Sequence, residues 1–276
     1  MNLLKSLTAA FCLITSLAQA QTAAYLPGGG NANSLDIYTF DGAHNAPVMV
    51  YIHGGAWITG DKSRVHQKDD FFNHRGYVFI SVNYTLVPHT TVEGQLEEID
   101  AALGYIVANV ARAGGDPHNI SLIGHSAGVH LVAMTALRPL ENAQALIASG
   151  GLRAVICNDT RSYNIPRIAA DAGGHLPQAY ARPFGNDPAR WAALSPLTYI
   201  GETGKNLPPF LIAHSGQGSA ARRASYAAEF AGALRAAGVS ATVYDGSQYS
   251  HEQINKGIGK APGITGAIAA FLDTVQ

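Results

Sequence analysis

Short runs rich in Val, Ile and Tyr recur along the chain, and between them apolar residues fall at helical spacing. The runs are PVMVYIH (47–53), YVFISVNY (77–84), ISLIGHS (120–126), RAVICND (153–159), PFLIAHS (209–215) and ATVYDG (241–246). Strands that alternate with helices favour a mostly parallel sheet covered on both faces, the α/β class. Leu96, Ile99, Leu103, Ile106 and Val110 mark one helix, which Gly114-Gly115 ends. Tyr226, Phe230 and Leu234 mark another, which stops at Gly238. Both stripes are core contacts.

Segment 160–206 breaks the pattern. Pro, Gly and Asn are frequent in it, apolar periodicity is weak, and it separates two strands that a short helix could join. It reads as a lid-like excursion over one edge of the sheet. The first 20 residues differ again: Lys5, an apolar run over 7–17, then Ala18-Gln19-Ala20. That is the layout of a secretory signal cleaved after Ala20, which makes 21–276 one exported domain, secreted or periplasmic. Phe11 disfavours lipid attachment at Cys12, and Cys157 is the one cysteine left after cleavage, so no intrachain disulfide can form. No second transmembrane run follows. A net charge of −1 with 13% charged residues gives no electrostatic footprint for nucleic acid or an anionic membrane, and points to a small-molecule partner.

Two motifs carry chemistry. Gly124-His125-Ser126-Ala127-Gly128 follows the strand ISLI and precedes the helical run VHLVAMTAL. Gly-x-Ser-x-Gly between strand and helix is a nucleophile elbow, which holds the serine in a strained conformation at the carboxyl end of the sheet. His53-Gly54-Gly55-Ala56-Trp57 ends the strand VMVYI. Backbone N–H groups of Gly54, Gly55 and Ala56, with that of Ala127, could surround the oxygen on which acyl transfer builds negative charge.

On these motifs, with LDIY (35–38), YIHGGAWITGDKS (51–63), Asn83-Tyr84, GGDPHNISLIGHSAG (114–128) and PLTYI (196–200), the chain resembles α/β-hydrolases of the esterase/lipase group. The relatives in view are hormone-sensitive lipase, arylformamidases and small feruloyl-esterase-like enzymes. One departure is His-Gly-Gly-Ala where that group has His-Gly-Gly-Gly, which keeps the backbone donors and adds a methyl. The resemblance implies the order Ser, acid, His, with the base after the last strand. His251 stands there, and HEQI is not followed as a zinc-protease motif would be. His53 is expected to support its loop, and His125 and His130 to be packing or surface groups.

The acid is the gap. The group's usual aspartate follows the strand PFLIAHS, yet FLIAHSGQGSAA (210–221) contains no carboxylate. Asp159, at the end of the neighbouring strand RAVICND, is the best remaining candidate. Alternatives are that Asp159 only caps the turn Asp-Thr-Arg-Ser, that a carbonyl or water orients His251, or that Asp245 or Glu252 serves. The expectation is a serine carboxylesterase without metal or organic cofactor. An arylformamidase-type amidase and a non-catalytic binding protein are the rivals. Trp57, Tyr84, Tyr163, Tyr180, Phe184 and Trp191 are expected near the mouth and would suit an aromatic substrate, although core packing accounts for such residues equally well.

Export has a direct check. Protein isolated from its native source should begin at or near Gln21 by N-terminal sequencing, and retention of residues 1–20 would overturn the signal reading.

Overall fold

The structure is a computed structural model that describes residues 20–201, 206–217 and 220–275, so the segment expected to be a signal lies outside the described residues apart from Ala20. Among the described residues eight strands form one sheet: β1 (Gln21–Ala24), β2 (Ser34–Tyr38), β3 (Ala46–Ile52), β4 (Val78–Val82), β5 (Gly115–His125), β6 (Leu152–Asn158), β7 (Phe210–Ser215) and β8 (Ala241–Gly246). Their spatial order is β1-β2-β4-β3-β5-β6-β7-β8. From β4 to β8 every pairing is parallel, while β1 and β2 join antiparallel at one edge. The six apolar runs are the six parallel strands. β5 begins five residues before its run, because Gly115 pairs with Ala46 across a register shift.

Among the described residues there are ten α-helices: α1 (Lys68–His74), α2 (Val92–Asn109), α3 (Ala127–Leu137), α4 (Glu141–Ala148), α5 (Ile165–Asp171), α6 (Gln178–Phe184), α7 (Pro188–Ala193), α8 (Ala220–Ala236), α9 (His251–Lys256) and α10 (Pro262–Asp273). Alternate residues of a strand face opposite sides, so the sheet separates two cores. Val48, Val50 and Ile52 of β3 pack with residues of α2, α3 and α8; Met49 and Tyr51 pack with Phe72 of α1 and Ile264 and Ile268 of α10. Each such buried aliphatic or aromatic side chain contributes about 1.5–3 kcal/mol. Every residue of α3 is buried, His130 and Thr135 included, so this helix runs through the core and packs against β5.

Thr91 caps α2 by accepting from the Gly94 N–H, and Gly114 closes its 3₁₀ extension in the left-handed region at φ 81°. The 160–206 excursion carries α5, α6 and α7. It is pinned to α2 by a two-pronged Arg190–Glu93 pair at 2.7 Å on each prong, and to α8 by Arg167–Glu229 at 2.7 Å.

Register places two site residues side by side. His125 of β5 pairs with Asn158 of β6, so Ser126 and Asp159 each stand one residue beyond the same rung. Both take positive φ, 56° and 67°.

Lys68 is wholly buried between α1 and α9, and both its hydrogen bonds end on carbonyl oxygens, Asn255 O at 3.0 Å and Val65 O at 3.4 Å. Its ammonium lies 5.0 Å from the Tyr51 ring centroid. Burial lowers its pKa from 10.5 to about 7, against the opposing charge of Asp69. Between those values the unfolded chain holds a proton that the folded chain has released, so stability should rise with pH across that window. Urea midpoints at pH 7 and pH 9 test this, with Lys68→Met expected to flatten the rise; an unchanged slope in the variant would refute it.

Candidate active site

The turn from β5 into α3 is set by what cannot fit. A Cβ on Gly124 would lie 2.2 Å from Gly128 O, and one on Gly128 would lie 2.1 Å from Ile52 O. Glycine at both positions lets α3 start directly beneath β3 and β5. Ser126 pays with a left-handed backbone, φ 56° and ψ −117°, a conformation that costs a non-glycine residue about 1–3 kcal/mol. It occupies the N-cap of α3, yet its hydroxyl makes no capping bond. Instead Ser126 Oγ lies 2.9 Å from His251 Nε2.

His251 is the first residue of α9, which a reciprocal capping box starts: Ser250 Oγ accepts from the Gln253 N–H, and Gln253 Oε1 accepts from the Ser250 N–H. A second tie comes from the elbow. His125 Nε2 lies 2.9 Å from His251 O, and the two rings are 4.5 Å apart. Burial, then the nearby His251 charge, push His125 well below the usual histidine range, so its ring is neutral with Nε2–H as the donor. The expectation for His125 was packing or surface; it is buried and holds the backbone of His251.

Asp159 closes the row. Its Oδ2 lies 2.5 Å from His251 Nδ1 and accepts from Ser215 Oγ at 2.6 Å and Arg223 Nη1 at 3.0 Å; its Oδ1 accepts from the Ser215 N–H at 2.9 Å. Burial pushes the carboxyl pKa up, but the His251 hydrogen bond and charge, Arg223 and Ser215 outweigh it and hold the group at about 2. The acid-free strand end of β7 therefore supplies donors, through Ser215, to a carboxylate that arrives from β6. The Asp-Thr-Arg-Ser turn is closed by Thr160, whose Oγ1 accepts from the Ser162 N–H at 3.2 Å. Asp245 is exposed and 3.9 Å from His214, and the exposed Glu252 pairs with Lys256 at 2.5 Å, so neither reaches the imidazole of His251.

The HGGAW loop lies against the elbow. A Cβ on Gly54 would stand 2.7 Å from His125 O and 3.0 Å from Ser126 Cβ. Gly55, Ala56 and Trp57 take successive positive φ values of 129°, 50° and 62°, and the chain turns back where Ile58 and Thr59 N–H donate to Gly55 O. Among the described residues the N–H groups of Gly55 and Ala56 have no backbone partner, and Ala127 N–H belongs to the open first turn of α3. The loop is held from outside. Tyr84 OH donates to His53 O at 3.0 Å and stacks on the His53 ring at 4.4 Å. Trp57 Nε1 donates to His130 Nδ1 at 3.2 Å, and His130 Nε2 lies 2.7 Å from Leu194 O. Burial lowers His130 to about 4, which keeps it neutral in that bridge.

A cavity of about 190 Å³ opens beside Ser126, with Trp57 and Tyr180 in its wall. A wider cleft of about 470 Å³ also borders Ser126 and is lined by Ile58 and Glu252. Of the aromatic residues expected at the mouth, Tyr84, Tyr163 and Phe184 are fully buried, and Trp191 is nearly so; these are core groups. Among the described residues no three His, Cys, Asp or Glu side chains converge as a metal site. No described helix is long and apolar enough to cross a membrane.

Comparison with known proteins follows the same outline. The BD-FAE family profile matches residues 35–222. Esterase LipQ of Mycobacterium tuberculosis is 27% identical over 239 residues, which is 82% of this chain and 55% of LipQ. Phenmedipham hydrolase of Pseudarthrobacter oxydans is 37% identical over 116 residues, 39% of this chain and 23% of that protein. The chain thus spans about half, or less, of the length of these relatives. In shape it is similar to Thermogutta terrifontis esterase 2 phosphonylated by sarin, with TM-score 0.73 and 22% identity over 94% of this chain and 95% of that one. Esterase B from Lactobacillus rhamnosis aligns at TM-score 0.70 and 19% identity, over 93% and 84%. These likenesses concern the fold. Since the profile covers well over half of the residues, including the Gly-rich loop, the elbow and Asp159, the chain belongs to the BD-FAE family and has the α/β-hydrolase fold.

Proposed function

We propose that the protein is a serine hydrolase of carboxylic esters that works through an acyl-enzyme on Ser126. One observation carries this reading: the hydrogen-bonded row Asp159–His251–Ser126 beside the N–H groups of Gly55 and Ala56, which have no backbone partner among the described residues. His251 Nε2 takes the Ser126 proton as Oγ bonds to the acyl carbon, and the carbonyl oxygen becomes an oxyanion facing the N–H groups of Gly55, Ala56 and Ala127. The imidazolium then gives its proton to the leaving alkoxide. In the second half His251 takes a proton from water, the hydroxide adds to the acyl carbon, and Ser126 regains its proton as the acid departs. Asp159, ionised opposite Nδ1, fixes the tautomer and offsets the imidazolium charge. Gly54 contributes by leaving room for the loop to meet the elbow.

The names of the relatives, an esterase and a hydrolase, support the same class. The binding-protein reading rested on the acid-free turn after β7, and Asp159 removes that argument. An amidase of the arylformamidase type would use the same groups and is the alternative. Trp57 and Tyr180 at the cavity favour a small or aromatic substrate, and the N-terminal signal pattern favours action outside the cytoplasm.

A fluorophosphonate probe should label Ser126, and p-nitrophenyl esters of short acids should be cleaved faster than N-formylkynurenine. Ser126→Ala or His251→Ala should lower turnover roughly 10³-fold or more. Activity within tenfold of the parent in both would sink the assignment.

Asp159→Asn should keep the fold and cut turnover by roughly 10²- to 10⁴-fold. His125→Phe should leave Ser126 reactive to the probe but lower kcat, by up to about 10²-fold, with little change in KM, since it frees the backbone of His251 by a fraction of an ångström. Parental kcat in His125→Phe would show that the capping box alone positions the base.

A further inference from the structure

The cavity beside Ser126 has one polar wall, and that wall is cationic. Arg161 and Arg223 line it, and no Asp or Glu does. Arg223 is spoken for: its Nη1 donates to Asp159 at 3.0 Å and to Ser215 Oγ at 2.8 Å, so its charge offsets the buried carboxylate. Only that one nitrogen of its guanidinium is engaged by described residues. Arg161 is different. It is half-buried, it lies two residues past Asp159, and it makes no hydrogen bond or ion pair with any described residue. A guanidinium at a cavity wall with no partner of its own keeps its fork of N–H donors available to a ligand anion.

The same wall offers neutral donors. Thr160 Oγ1 lies 3.1 Å from Ser162 Oγ, which lies 3.2 Å from Tyr180 OH, so a short hydroxyl chain ends in the cavity lining. The wider cleft that also borders Ser126 is lined by apolar Ile58 and by Glu252, which Lys256 pairs, and no Lys or Arg lines it. An ester with one charged end therefore has one favourable orientation across Ser126. The small volume, about 190 Å³, limits the group on the Arg161 side to a few heavy atoms, because sites for larger ligands run to about 300–1,000 Å³.

We infer that Arg161, aided by the unengaged part of Arg223 and the hydroxyls of Ser162 and Tyr180, binds a carboxylate on the substrate, so that the preferred ester is a short half-ester with a free acid group. This rests on the ester-hydrolase reading above. Hydrolysis of such a substrate adds water across the acyl–oxygen bond and releases two fragments, of which the one on the Arg161 side leaves as the anion that was recognised.

The test compares three esters of similar size: ethyl hydrogen succinate, charged on the acyl side; butyryloxyacetate, charged on the alcohol side; and neutral ethyl butyrate. One of the half-esters should exceed ethyl butyrate in kcat/KM by about tenfold or more, as a charge-assisted contact provides, and which one it is tells which half of the ester occupies the cavity. The advantage should shrink in Arg161→Gln, reverse in Arg161→Glu and persist in part in Arg161→Lys, with melting temperatures checking that each variant folds. A preference for the neutral ester in the parent, or a half-ester preference that survives Arg161→Gln, overturns the proposal while leaving the esterase reading in place. If no ester is cleaved and the fluorophosphonate probe leaves Ser126 unlabelled, the esterase reading fails on its own. Succinate binding then decides the anion site: a melting temperature raised in the parent and not in Arg161→Gln upholds it, and no rise in the parent overturns it.

Discussion

A single buried carboxylate organises this site. Asp159 has no solvent exposure, and an ionised group there survives only because four contacts converge on it from three other elements. Burial alone would protonate it. Ser215 brings a hydroxyl and a backbone N–H from β7, Arg223 brings a full charge from α8, and His251 brings the imidazole from α9. The cluster therefore ties together the carboxyl ends of three neighbouring strands, β6, β7 and β8. Removing any one donor leaves the charge undercompensated, which in a buried setting costs more than the lost contact itself.

Arg223 has an ambivalent part in this. Its charge keeps Asp159 ionised, but it also competes with His251 for the same oxygen, Oδ2. The second competitor is Ser215 Oγ, which contacts both Arg223 and Asp159. A carboxylate shared in this way stabilises imidazolium less than an unshared one would, and gains a fixed position in exchange. That exchange suits a group whose purpose is to aim a ring.

How much of this could be read from the chain differs by element. The six parallel strands were legible because strands covered on both faces need continuous apolar runs. β1 was not, since the edge strand QTAA is largely exposed and shows no such run. Ser126 and the HGGAW loop are local motifs whose geometry depends on neighbours in sequence. His251 followed from chain order. Asp159 could be reached only by eliminating other carboxylates, because what holds it lies 56 and 64 residues further along. His125 and Arg223 carried no readable signal: a histidine inside the elbow bonds a backbone carbonyl 126 residues away, and an arginine on a helix looks like any surface cation until the helix is packed.

The shared rung of β5 and β6 bears on how the site tolerates motion. Ser126 and Asp159 both hang from the His125–Asn158 pairing, so bending or twisting of the sheet carries the two residues together and hardly alters their separation. A slip along the ladder would displace one against the other by about 3.3 Å for each residue, far outside hydrogen-bond reach, and the two buried cores forbid it. His251 has no place in that lattice. It rides on a six-residue helix begun by Ser250 and Gln253, so its position is set by that capping box, by His125 and by Asp159 and not by strand pairing. Substitutions in this short helix can therefore shift the imidazole relative to Ser126 and Asp159 without disturbing the sheet.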